Sequence, residues 1–176
     1  LTSVKVEGDI FGNEKDSAVF MWSEPNAKLI VEGNITARDC QSAIEIYGLS
    51  GEMDSLREIP AITVKTLNVE SGDYFKALTH DENGEEIESK ALAEAAAKAT
   101  WYIVDISQPT NGEIEVDGIS TKEGLLVAHE GDKLTVTGAP KKGYRLTGID
   151  AGSKALVTEN EDGTYTVTVE RGGDVT

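Results

Sequence analysis

This 176-residue chain is short of the residues that most chemistry needs: one cysteine, two histidines, and 16 lysines and arginines against 32 aspartates and glutamates. A single thiol, Cys40, cannot close an intrachain disulfide, so a disulfide-framework domain is excluded. Cys40, His80 and His129 lie far apart in sequence and form no CxxC, HxxxH or HExxH spacing, so no zinc centre is expected. The formal net charge of -16 repels phosphate backbones and anionic lipid, which argues against a nucleic-acid partner or a membrane-surface role. No run of about 18 apolar residues occurs, so no direct membrane insertion is expected. A GxSxG elbow is absent, and Gly51, Gly72 and Gly118 are isolated turn glycines with no Lys-Ser or helix behind them, unlike a phosphate-cradling loop. The opening Leu1-Thr2-Ser3-Val4 has no initiator Met, basic region or apolar leader. The chain therefore reads as a piece of something longer, with any signal or anchor outside it.

What is present supports a packed core. Hydrophobic residues make up 39% and charged residues 27%, enough for one large domain or two small ones of roughly 100 and 75 residues. The acidic excess is spread evenly, with 19 acids and 9 bases in residues 1–100 and 13 and 7 in residues 101–176. The first hundred residues repeat themselves. Val6-Glu7-Gly8-Asp9-Ile10 returns 25 residues later as Val31-Glu32-Gly33-Asn34-Ile35, and the same offset carries Ser17-Ala18-Val19 onto Ser42-Ala43-Ile44. A third copy is read at Leu67-Asn68-Val69-Glu70-Ser71-Gly72, aligned with Leu29 to Gly33 after an insertion from about Gly48 to Pro60. Units of this length that cannot bury a face alone stack on their neighbours. The expectation is a mainly β chain whose first part is a short right-handed β-solenoid, with a β-sandwich as the alternative. Residues 86–99 then predict a short helix. Glu86 and Lys90, like Glu94 and Lys98, are favourable i,i+4 pairs, and Leu92, Ala95, Ala96 and Ala99 form one stripe that would cap an open end of the solenoid.

From Trp101 onward the pattern is regular antiparallel β. Strands are expected at Trp101 to Ile106, Glu113 to Val116, Leu125 to Ala128, Lys133 to Thr137, Tyr144 to Ile149, Ala155 to Thr158 and Thr164 to Val169. Gly-containing turns punctuate them, which fits a small antiparallel sandwich or open barrel over 101–176.

Within this region, Asn111-Gly112-Glu113-Ile114-Glu115-Val116 and Glu130-Gly131-Asp132-Lys133-Leu134-Thr135-Val136 are followed by Ala139-Pro140-Lys141-Lys142-Gly143-Tyr144-Arg145-Leu146. The series ends on Gly163-Thr164-Tyr165-Thr166-Val167-Thr168-Val169 and Gly173-Asp174-Val175-Thr176. This stretch, about residues 105–176, resembles the divergent InlB B-repeats, small all-β modules of mostly Gram-positive bacterial surface proteins. The Gly143-Tyr144 pair is the most distinctive element, with Tyr144 expected to plug the end of a thin sheet pair. Such repeats often carry a Trp a few residues later, where this chain reads Thr147-Gly148-Ile149-Asp150. The resemblance implies an extracellular, cell-wall-associated location, a spacer or adhesion role and no catalytic residues. Residues 1–82 are similar in pattern to the parallel β-helices of bacterial surface adhesins.

Two kinds of site remain to be weighed. Sugars stack on exposed aromatic faces, and alternation puts Phe20 and Trp22 on one side of a strand with Met21 on the other. Phe20, Trp22, Trp101 and Tyr102 are therefore the candidate carbohydrate-binding residues. The acidic turns holding Asp81 and Asn83, and Glu161 and Asp162, are exposed turns first and weak calcium candidates second, since neither keeps the EF-hand register. The leading expectation is a non-catalytic stalk or adhesion module needing no cofactor, with a glycan or a host or cell-wall surface component as its partner. A carbohydrate-binding module, with or without calcium, is the alternative. A polysaccharide-cleaving β-helix enzyme comes third. The 32 acids offer many carboxylate pairs, but the solenoid is short and acidic where such an enzyme would want a long, basic, calcium-lined groove.

Overall fold

A computed structural model describes residues 3–13, 15–24, 26–48, 59–152, 155–171 and 173–175. The chain is mainly β and divides into two compact units, Leu1–Thr100 and Trp101–Thr176. Most of the Gly48 to Pro60 insertion lies outside the described residues.

Unit 1 runs β1 (Ser3–Val6), β2 (Ile10–Gly12), β3 (Ser17–Ser23), β4 (Lys28–Ala37), β5 (Ser42–Gly48), β6 (Ala61–Val69), β7 (Asp73–His80), β8 (Glu86–Glu88) and α1 (Lys90–Ala99). β1 and β2 both lie parallel to β4, and β4 lies parallel to β6. In a second sheet β3, β5 and β7 are parallel neighbours, and β8 closes on β7 antiparallel. The 25-residue repeat in the sequence is the register itself. Val6 sits beside Val31, Ile10 beside Ile35 and Ser17 beside Ser42.

The third repeat falls elsewhere than the turn motif predicts. Val31 pairs with Val64 and Ile35 with Leu67, because strands align on the residues they bury; Val69 ends β6 beside Ala37, and Glu70-Ser71-Gly72 make the bend that follows. A bulge between Val31 and Asn34 absorbs the difference in length. The interior is aliphatic: Val31, Ile35, Ile44, Ile46, Val64 and Leu67 are all fully buried. In the first repeat Val6, Ile10, Val19 and Met21 are only partly covered.

The turns are tied from repeat to repeat as well. Arg38 N–H donates to the Gly12 carbonyl (2.8 Å) and Glu70 N–H to that of Ala37 (3.0 Å). Gln41 N–H donates to Asp16 (3.0 Å) and Asp73 N–H to Gln41 (2.9 Å). A polar row accompanies them. Asp9 Oδ1 accepts from the Asn34 backbone (2.7 Å) and side chain (3.1 Å), and Asn34 Oδ1 accepts from the Thr66 hydroxyl. Gly72 is confined to its turn by both conformation and space. Its φ is +91°, and a Cβ there would lie 2.3 Å from the Cys40 carbonyl oxygen.

The helix starts at Lys90, not Glu86. Ser89 caps it by accepting from Leu92 N–H (3.3 Å), while Glu86–Glu88 turn back along β7 as a strand. The Glu86 and Lys90 pairing read as helical is thus divided between two elements. Of the predicted stripe, Ala96 is fully buried, Leu92 and Ala95 are partly covered and Ala99 is exposed.

Unit 2 contains β9 (Trp101–Ile106), β10 (Gly112–Asp117), β11 (Ser120–Lys122), β12 (Leu125–His129), β13 (Lys133–Pro140), β14 (Ala155–Glu159), β15 (Tyr165–Val169) and β16 (Gly173–Val175). β10, β13, β15 and β14 form an antiparallel sheet in that order, burying Leu134, Val136, Tyr165, Val167 and Val169. β9 pairs antiparallel with β12, which pairs with β11, and β16 lies parallel to β9. Tyr144 to Ile149, expected as a strand, makes no ladder. The segment follows Gly143 (φ +90°), contains Gly148 (φ +155°) and lays Leu146 against Gly138, where a Cβ would clash at 2.8 Å. Tyr144 does not plug a sheet end; it is 57% exposed and lines an open groove with Pro109, Ile114, Pro140 and Leu146. The outer edge of β10 is closed by a side chain. The Gln108 amide donates to the Ile114 carbonyl (2.8 Å) and accepts its N–H (2.7 Å), as a neighbouring strand would.

Candidate functional site

The outward face of β3, β5 and β7 gathers three neighbouring aromatic rings of unit 1, while Phe11 on β2, in the other sheet, is exposed as well. Strand alternation turns Val19 and Met21 to one side and Phe20 and Trp22 to the other, where they stay 51% and 47% exposed. The parallel register then adds Tyr47, which stands directly beside Trp22. Ring centroids lie 5.6 Å apart for Phe20 and Trp22, 4.9 Å for Trp22 and Tyr47, and 6.1 Å for Phe20 and Tyr47. Trp22 is close to perpendicular to both neighbours (86° and 75°), while Phe20 and Tyr47 are inclined by 38°. Edge-to-face contacts of this kind hold large rings in fixed positions without burying them.

Polar groups flank the rings. The Tyr47 hydroxyl is hydrogen-bonded to His80 Nε2 at 2.9 Å, and His80 lies opposite Glu86 in the β7–β8 pair. Partial burial, reinforced by the Glu86 carboxylate, pushes the Tyr47 phenol above its ordinary range, so it stays a neutral hydroxyl at physiological pH. Beside Phe20 in the register, Glu45 accepts from the Ser17 hydroxyl (2.9 Å) and pairs with Lys76 (3.6 Å), which also donates to Gln41 Oε1 (2.7 Å). The face therefore combines an apolar ring cluster with hydrogen-bonding groups whose geometry is already set.

The other aromatic pair does not form such a face. Tyr102 is fully buried, and Trp101 carries the His129 ring at 3.5 Å and the Lys122 ammonium at 5.0 Å. Its ring is occupied by the protein's own groups. The acidic turns likewise use their carboxylates internally. Asp81 accepts from the Glu85 (2.8 Å) and Asn83 (2.9 Å) N–H groups, and Asp162 from the Thr164 hydroxyl (2.7 Å) and N–H (3.0 Å). Those bonds, led by Glu85 N–H at Asp81 and the Thr164 hydroxyl at Asp162, hold both carboxyls below the usual aspartate range. Asn83 adds a side-chain bond to Asp81 at 3.3 Å, and Glu161 is an exposed residue of its turn. Among the described residues no three His, Cys, Asp or Glu side chains are gathered as a metal site, and no helix is long and apolar enough to cross a membrane.

Tyr47, His80 and Glu86 are absent from the candidates drawn from sequence, yet one signal for Tyr47 was available. The offset of 25 that carries Ser17 onto Ser42 also carries Trp22 onto Tyr47. His80 and Glu86 meet only through the β7–β8 hairpin. Comparison of the chain with protein-family models, curated proteins and solved structures finds no match.

Proposed function

We propose that this chain is a non-catalytic adhesion module of a bacterial cell-surface or secreted protein that binds carbohydrate through the Phe20–Trp22–Tyr47 face. The observation that carries this reading is the retention of two large rings, each about half exposed, on the outward side of β3. Fully burying an aromatic side chain is worth roughly 1.5–3 kcal/mol, so two half-exposed rings beside the partly covered Tyr47 each forgo a fraction of that and make a surface that gains by being covered. Hydroxyl-bearing rings suit it, since their apolar faces stack on aromatics while their rims meet groups such as the Tyr47 hydroxyl.

In this proposal unit 1 is a short β-solenoid. The parallel pairing at matched repeat positions, the turn-to-turn hydrogen bonds and the Asp9–Asn34–Thr66 row support that reading. Unit 2 serves as a B-repeat-like β-sandwich spacer, a role resting on the motif resemblance in residues 105–176. Together they make an extracellular, wall-associated stalk with an adhesive face.

The test is tryptophan fluorescence with acrylamide quenching in a Trp101→Phe background, titrated with plant and host polysaccharides with and without calcium. Binding is expected to shield Trp22 from the quencher with one glycan, equally in calcium and in chelator. A Trp22 signal that ignores every glycan would refute the carbohydrate reading.

A further inference from the structure

Resting on the carbohydrate reading above, we infer that the Phe20–Trp22–Tyr47 corner takes the uncharged terminal sugar of a soluble glycan, not the flank of an extended or crystalline polymer. The ring planes carry the argument. A polymer flank presents one flat ribbon, and covering it requires coplanar rings spaced along the chain. Here Trp22 stands at 86° to Phe20 and 75° to Tyr47, and all three centroids fall within 6.1 Å of one another. That arrangement offers no shared plane on which a ribbon could lie, and in this proposal it acts as a floor meeting a wall for a single pyranose. A pyranose seated in it stacks a face on one ring and presses an edge against the next. An internal residue carries a glycosidic neighbour at both ends, whereas a terminal residue has one end free to meet the wall.

Charge narrows the ligand further. Glu88 lies opposite Leu78, which lies beside Tyr47 in the register, and Glu86 lies opposite His80. Lys76, the cation of this face, is already held by Glu45 and Gln41. A sugar carboxylate or sulfate entering here meets two glutamates and a chain of net charge -16, with the nearby ammonium already paired. An uncharged sugar meets no such penalty. Its hydroxyls can use the lone pairs of the neutral Tyr47 oxygen, positioned by His80 at 2.9 Å.

The experiment uses the full chain on an array of soluble glycans with neutral or acidic termini, followed by calorimetric titration of the best binder as a series from one to six sugars. Retention on microcrystalline cellulose and chitin is measured alongside. The expected result is affinity that reaches its plateau by the second sugar, at least tenfold weaker binding when the terminal sugar bears a carboxylate, and no retention on either solid. Trp22→Ala is expected to lose at least tenfold, and Tyr47→Phe, which keeps the ring and removes the hydroxyl, about threefold to tenfold, both with the folded circular dichroism spectrum retained at the assay temperature. Affinity that climbs with every added sugar, retention on a crystalline solid or preference for acidic termini would overturn this inference while leaving carbohydrate binding intact. No binding to any array glycan or solid would overturn both.

Discussion

Alanine in place of a stacked interior residue is expected to cost more in the second repeat than in the first. Ile10, Ile35 and Leu67 occupy one row of the parallel register. Ile35 and Leu67 are fully buried, whereas Ile10, on the first repeat, is only partly covered. At Ile35 the substitution removes the transfer free energy of the lost methyl groups and leaves a void that its neighbours fill incompletely, together about 2–5 kcal/mol. At Ile10 the site opens to solvent, water occupies the space, and only part of the transfer contribution remains, about 1–2 kcal/mol. Urea unfolding is followed by Trp22 fluorescence in the Trp101→Phe background, so that unit 1 reports alone and a second transition in unit 2 does not blur the midpoint. With a urea slope of about 1–3 kcal/mol/M, Ile35→Ala is expected to lower the midpoint by about 1 M or more and Ile10→Ala by clearly less. Equal losses at the two positions, or a larger loss at Ile10, would refute the inference that coverage grows from the first repeat to the second.

Gly72→Ala must tolerate both a φ of +91° and a Cβ pressed on the Cys40 carbonyl, so a loss of about 2 kcal/mol or more is expected in the same urea assay. Gln108→Ala uncovers the N–H and carbonyl of Ile114 on the β10 edge. A loss of about 1 kcal/mol in unit 2 and concentration-dependent association in sedimentation velocity are expected; a variant that stays equally stable and monomeric would contradict the edge-closing role. Asp81 and Asp162 have folded-state carboxyl pKa values below the unfolded one, so their turn contributions are present above about pH 4 and fade as pH falls through the lowered values. Carboxyl carbon shifts followed by NMR are expected to titrate below those of exposed aspartates; ordinary values would show that the turn hydrogen bonds do not persist in solution.

Local chemistry was legible in the amino-acid sequence wherever short-range pattern decides structure. Alternating apolar residues between Gly turns marked β9, β10, β12, β13, β14 and β15, because a strand with one buried face imposes a period of two. The 25-residue repeat announced the register of β3 on β5, since stacked parallel strands bury equivalent residues in line. Alternation by itself puts Phe20 and Trp22 on a common face. Other features were settled only by tertiary contacts. Whether an aromatic faces water depends on what packs over it: Tyr102 is buried and Trp101 is covered by His129 and Lys122, although their strand looks as amphipathic as β3. The register of the third repeat followed buried Val64 and Leu67 over a turn motif that merely resembled Val31-Glu32-Gly33. Glu86–Glu88 became a strand because β7 offered an edge, overriding a helical charge spacing worth only about 0.2–0.5 kcal/mol. The junction of Trp22, Tyr47, His80 and Glu86 draws on four strands whose proximity no local pattern encodes, and it exists because long-range pairing brings them into one sheet.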